Sequence, residues 1–76
     1  MMFNNKGHGF VMDYGEKAEA VLYFRSNYVG SQWYCQRYVN VDEALYGLED
    51  KGLYNAAEKL SVAEQDAAIK AAKEVS

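Results

Sequence analysis

The sequence predicts an α+β domain: a three-stranded antiparallel β-meander followed by two to three helices packed on one sheet face. Three observations carry this. Residues 18–39 alternate like two strands of a hairpin, with β-branched and aromatic side chains in a period of two. At Asn40 the apolar period changes from two to between three and four. The last stretch is rich in alanine and carries helix-capping residues. Seventy-six residues make one domain, 1–76, with a β-meander over 1–40 and a helical part over 41–76.

The first strand is read at Phe10–Tyr14, after a ragged start, and Gly15 turns the chain. The long hairpin centres on Asn27-Tyr28-Val29-Gly30, where Asn and Gly accept positive φ. That centre pairs Phe24 with Trp33, Leu22 with Cys35, Ala20 with Arg37 and Ala18 with Val39 on one face, which reads as core. The other face pairs Arg25 with Gln32, Tyr23 with Tyr34, Val21 with Gln36 and Glu19 with Tyr38. It is polar and rich in tyrosine, which suits water or a partner.

Asn40-x-x-Glu43 opens the first helix like a capping box. Val41, Ala44, Leu45 and Leu48 form its apolar stripe, and Gly52 ends it. Leu53, Ala56, Ala57 and Leu60 repeat that stripe and predict a second helix. Two continuations stand. An unbroken helix would run on through Ala63, Ala67 and Ala71, leaving Val62 and Ile69 wet. A break with Ser61-x-x-Glu64 as a new capping box turns Val62 and Ile69 inward. The box and the dipole-matched charges favour the break: Glu64 and Asp66 come early, Lys70 and Lys73 late. The expected core is Leu22, Phe24, Trp33, Leu45, Leu48 and Leu60.

The net charge of −3 is unevenly spread. Residues 1–40 carry four basic and three acidic side chains, residues 41–76 four basic and eight acidic, so the helical part is net −4. An acidic half disfavours a nucleic-acid backbone as direct partner and suits a basic protein surface. Cys35 is the only cysteine, which excludes a disulfide-stapled fold. The N-terminus lacks the apolar run of a signal peptide, and no stretch has the ~20 apolar residues of a membrane span. A cytoplasmic protein without membrane contact is expected.

Nothing in the chain reads as catalytic machinery, a metal site or a cofactor site, so a non-enzyme is expected. His8 has no sequence-local acidic or thiol partner, and Cys35 falls inside the sheet, where a thiol packs rather than reacts. The residues that stand out are partner-binding candidates. Tyr23, Arg25, Tyr34, Gln36 and Tyr38 lie on the outer sheet face, and Asp42, Glu43, Glu49 and Asp50 on the polar side of the first helix. Tyrosine and arginine dominate protein-binding hot spots. The same aromatic face also suits stacking on single-stranded RNA, which is the alternative.

In size, acidity, lack of proline and order of elements, the whole chain resembles the small phage-encoded inhibitors, the anti-CRISPR and host-takeover proteins. No motif carries the resemblance. It implies a protein that binds a host defence or nucleic-acid-handling complex and blocks it, inside the host cytoplasm. Whether it also forms a homodimer is left open by the sequence.

Overall fold

The computed structural model describes residues 7–14, 19–27 and 31–75. They form an α+β fold in the order β1 (Gly7–Asp13), β2 (Ala20–Ser26), β3 (Tyr34–Tyr38), α1 (Val41–Asp50), β4 (Leu53–Asn55) and α2 (Val62–Val75). The sheet order is β3-β2-β1-β4. β1, β2 and β3 make the antiparallel meander that the sequence predicts. β4 is an addition: it lies parallel to β1 on the far edge. The chain reaches it from β3 through α1, since parallel neighbours need a crossover.

β4 replaces the expected second helix and puts a strand in the part of the chain read as purely helical. Gly52, at φ 72°, ends α1 and turns the chain as expected. The next three residues then meet the open edge of β1, whose backbone groups need partners. Leu53, Tyr54 and Asn55 pair with Gly7, His8 and Gly9. Only one turn of the helical stripe survives. It is closed by the Lys59 and Leu60 amides donating to the Ala56 carbonyl, at 3.0 and 3.1 Å.

The hairpin register is shifted by one residue from the sequence reading. Tyr23 pairs with Cys35, Leu22 with Gln36 and Phe24 with Tyr34. At the neck, Ser26 donates from both its amide and its hydroxyl to Ser31 Oγ, at 3.2 and 2.9 Å. From that neck, the path from Ser31 to Tyr34 is one residue longer than the path from Ser26 back to Phe24. The extra residue lies before β3 and places Trp33 edge-on to Phe10, with ring centroids 5.8 Å apart. Packing of a large ring has overridden the simplest turn. Most of the expected turn (28–30), Gly15 and Ala18 lie outside the described residues.

The shift decides which residues share a face. Ala20, Leu22, Phe24 and Tyr38 lie on one side, and Phe10, Val21, Tyr23 and Cys35 on the other. β2 is apolar on both sides, so both need cover. α1 covers the Leu22 side with buried Ala44 and Leu48; Lys51 Nζ, at its C-cap, lies 5.0 Å from the Phe24 ring centre. α2 covers the other side, where Ala68 and Ala72 join Phe10, Val21 and Tyr23. The helices therefore sandwich the sheet instead of sharing one face.

The helix caps hold as read. Asn40 Oδ1 accepts from the Glu43 amide at 2.8 Å. Ser61 and Glu64 bond reciprocally: the Ser61 amide to Glu64 Oε1 at 2.9 Å, the Glu64 amide to Ser61 Oγ at 3.1 Å. A new helix thus starts at Ser61. Ile69 does turn inward, against the Phe10 cluster. Val62 does not; at 76% exposure it sits outside, in the first turn. Leu22 and Leu48 are buried as expected, Phe24, Trp33 and Leu60 are half-buried, and Leu45 is exposed.

Candidate partner-binding groove

Four of the residues singled out in the sequence converge on one place. Tyr38, Glu43, Glu49 and Asp50 line an open groove of about 550 Å³, together with Tyr46 and Gly47. The end of β3 supplies Tyr38, and α1 supplies the rest. Glu43, Tyr46, Gly47 and Asp50 follow each other at intervals of three, one and three residues, which puts them on one side of a helix. That side lies away from the buried stripe of Ala44 and Leu48.

Gly47 allows the close approach. A Cβ at this position would run into the Tyr38 hydroxyl and ring. The missing side chain lets the Tyr38 ring lie against the helix. Burial raises the Tyr38 phenol above its ordinary pKa, and the nearby Asp50 carboxylate raises it further. Tyr38 therefore stays a neutral hydrogen-bond donor among carboxylates. Among the described residues, three acidic side chains line the groove and no cation does. Its chemistry is that of a receiver for lysine or arginine, with aromatic faces beside carboxylates.

The other candidates are placed differently. Tyr23 was expected on the outer face and is 2% exposed. Its ring stacks on Phe10 at 5.4 Å, and its hydroxyl meets that of Tyr14 at 2.9 Å. Burial, chiefly, raises its pKa strongly. It is a core residue because α2 covers its side of β2, which the sequence reading left open. Arg25 lies on the same side as Tyr23, half-buried, with its Nε lacking a hydrogen-bond partner. Tyr34 and Gln36 share the sheet face of Tyr38 and are exposed, but lie outside the groove. Asp42 is exposed and also lies outside it.

Tyr46 and Gly47 were missed in the sequence. Their signal was present as the stripe Glu43-Tyr46-Gly47-Asp50, opposite the apolar stripe of the same helix.

The two residues weighed for chemistry are accounted for by packing. Cys35 is half-buried and packs against the cluster beneath α2, on the Tyr23 side and not the expected Leu22 side. His8 is half-buried in β1, with its ring edge-on to Trp33 at 5.4 Å. Burial lowers its pKa, and Arg25 lowers it further. Among the described residues no group of three or more His, Cys, Asp or Glu could hold a metal ion, and no helix is long and apolar enough to cross a membrane. Compared with known proteins, the chain matches no family model, no curated protein and no solved structure.

Proposed function

We propose that this chain is a small protein-binding inhibitor or adaptor, not an enzyme, that acts without a cofactor. Its target is a basic protein surface, such as the nucleic-acid groove of a host defence or processing complex. In this reading it works in the cytoplasm of that host, in the manner of phage anti-CRISPR proteins, and touches neither nucleic acid nor membrane.

The observation that carries the proposal is the convergence of Tyr38, Tyr46, Glu43, Glu49 and Asp50 on one groove that no cation lines among the described residues. A second feature supports it. Glu49 and Asp50 stand in the last turn of α1, which holds no basic residue. Negative charge there opposes the helix dipole. A position that is unfavourable for folding has a use if a cation arrives from outside. The single-stranded RNA alternative needs several aromatic rings on an open sheet face, whereas Tyr23 is buried beneath α2 and the Tyr38 ring lies against α1.

The test is capture from the native host followed by quantitative binding to the protein recovered. Changing Glu43, Glu49 and Asp50 to their amides, with Tyr46→Ala, should weaken binding at least tenfold and flatten its salt dependence. Undiminished binding by the folded variant would sink the proposal.

A further inference from the structure

We infer that the open edge of β3 takes up an extended, lysine- or arginine-rich segment of the partner as an added strand beside the Tyr38–Asp50 groove. The inference rests on the protein-binding reading above and names the form of the partner. Its first ground is backbone chemistry. β3 pairs with β2 alone, and among the described residues no further hydrogen bond reaches its backbone. The outward N–H and C=O groups of such an edge are matched by an extended polypeptide. β3 has no proline to block addition, and the exposed Tyr34, Gln36, Arg37 and Val39 flank the approach.

The second ground is charge. Beside the groove, and sharing Tyr38 and Glu43 with it, lies a recess of about 370 Å³ that also takes in Glu19, Arg37 and Val39. Carboxylates thus stand on both sides of Tyr38. A strand added to this edge projects alternate side chains toward α1. Lysine or arginine at those positions meets Glu43 and Asp50; acidic residues are repelled.

A second copy of the chain fits less well. Two-fold antiparallel pairing about Gln36 would join the sheets with both α1 helices on the same side, bringing two acidic grooves together. The chain's net charge of −3 adds to that repulsion.

The probe is a synthetic nine-residue peptide alternating lysine with valine or threonine, its ends blocked. The control has the same charge, with proline at the valine and threonine positions. Hydrogen exchange of the Tyr34–Tyr38 amides is followed by NMR. With the probe, the outward-facing amides among these five should slow at least tenfold, and the proline control should bind at least tenfold more weakly. Glu43→Gln with Asp50→Asn should reduce affinity at low salt yet leave the edge protection intact at saturating peptide. Binding that perturbs α1 alone would overturn strand addition and leave the acidic-groove reading standing. Failure of the probe to bind would overturn it too, while capture of a groove-dependent target would still support that reading. Edge protection that rises with protein concentration without peptide, with a doubled mass in sedimentation, would assign the edge to a second copy and overturn the inference.

Discussion

The two helices lie on opposite faces of one sheet and solve different problems. α2 has a reciprocal capping box, Glu64 in its first turn and Lys73 in its last. Its charges follow its dipole apart from Glu74 near the end. Its inward side offers alanines, which let it settle onto Phe10 and Tyr23. α1 is equally well started, by Asn40, Asp42 and Glu43, but ends in Glu49 and Asp50. Lys51, which follows them at the C-cap, lies over the Phe24 ring. Its outward side presents Tyr46, 69% exposed, and the glycine that seats Tyr38. Local rules hold over most of α2, Glu74 in its last turn apart, and conflict at one end of α1, where two acidic residues stand without a basic one. Such conflicts are expected where function constrains the sequence.

The largest effect should come from the α2 side. Phe10→Ala empties the centre of the aromatic cluster and should cost about 3–5 kcal/mol. A domain of this size has only roughly 5 kcal/mol in hand, so thermal melting by circular dichroism should find the variant mostly unfolded. Leu45→Ala, on the exposed flank of α1, should stay within about 1 kcal/mol of the parent. Equal losses would mean that Leu45 is packed as Phe10 is and that the flank of α1 is not exposed.

Titration gives the next test. The raised pKa of Tyr23 means that folding favours its neutral phenol. That contribution is complete below the ordinary value of 10.0 and is lost as pH rises beyond it. The protein should unfold in alkali above about pH 10, with the Tyr23 phenolate absorbance appearing together with the loss of helix. Tyr23→Phe should remove part of that alkaline loss. At the other end, the lowered His8 pKa favours the neutral ring. Its contribution is complete above the ordinary 6.5 and is lost as pH falls below it.

The caps should matter less, and about equally. Asn40→Ala and Ser61→Ala should each cost about 1 kcal/mol in denaturant titrations. Only the second should also loosen Glu64, whose carboxyl is held below its ordinary pKa first by the Ser61 backbone amide, which alanine keeps, and then by the Ser61 side chain, which it removes. A Glu64 carboxyl that titrates at its ordinary value in the parent protein, read by NMR, would show that the box is not formed.

The smallest effect on stability is the most informative. Glu49→Gln with Asp50→Asn removes charge that opposes the α1 dipole and should stabilise by a few tenths of a kcal/mol. The same pair should weaken target binding. A variant that is less stable and binds normally would reverse the distinction between the helices.

Local signals read well where the chemistry is local. Asn40, Ser61, Glu64 and Gly52 act through bonds spanning a few residues, so their roles are visible in order along the chain. The acidic side of α1 was legible for the same reason. The groove was half legible: Glu43, Glu49, Asp50 and Tyr38 were named, but on two surfaces thought separate. Tyr23 was misplaced because its side of β2 was read as open, and which sheet face a helix covers is a long-range matter: α2 packs on it.

By itself the sequence determined the α+β class, the antiparallel β1–β2–β3 meander, the two helix starts and the acidic character of α1. These rest on periodicity, capping and charge, which act within a helical turn or a strand pair. Only the tertiary structure decided the hairpin register, the conversion of Leu53–Asn55 into β4, the helix on each face and the meeting of Tyr38 with Gly47. Each of these turns on a contact between distant residues. Trp33 finds Phe10, the open edge of β1 finds Leu53–Asn55, and the apolar residues on both sides of β2 each find a helix. A short segment whose local preferences are nearly balanced takes the form that buries the most apolar surface and leaves the fewest backbone groups unpaired.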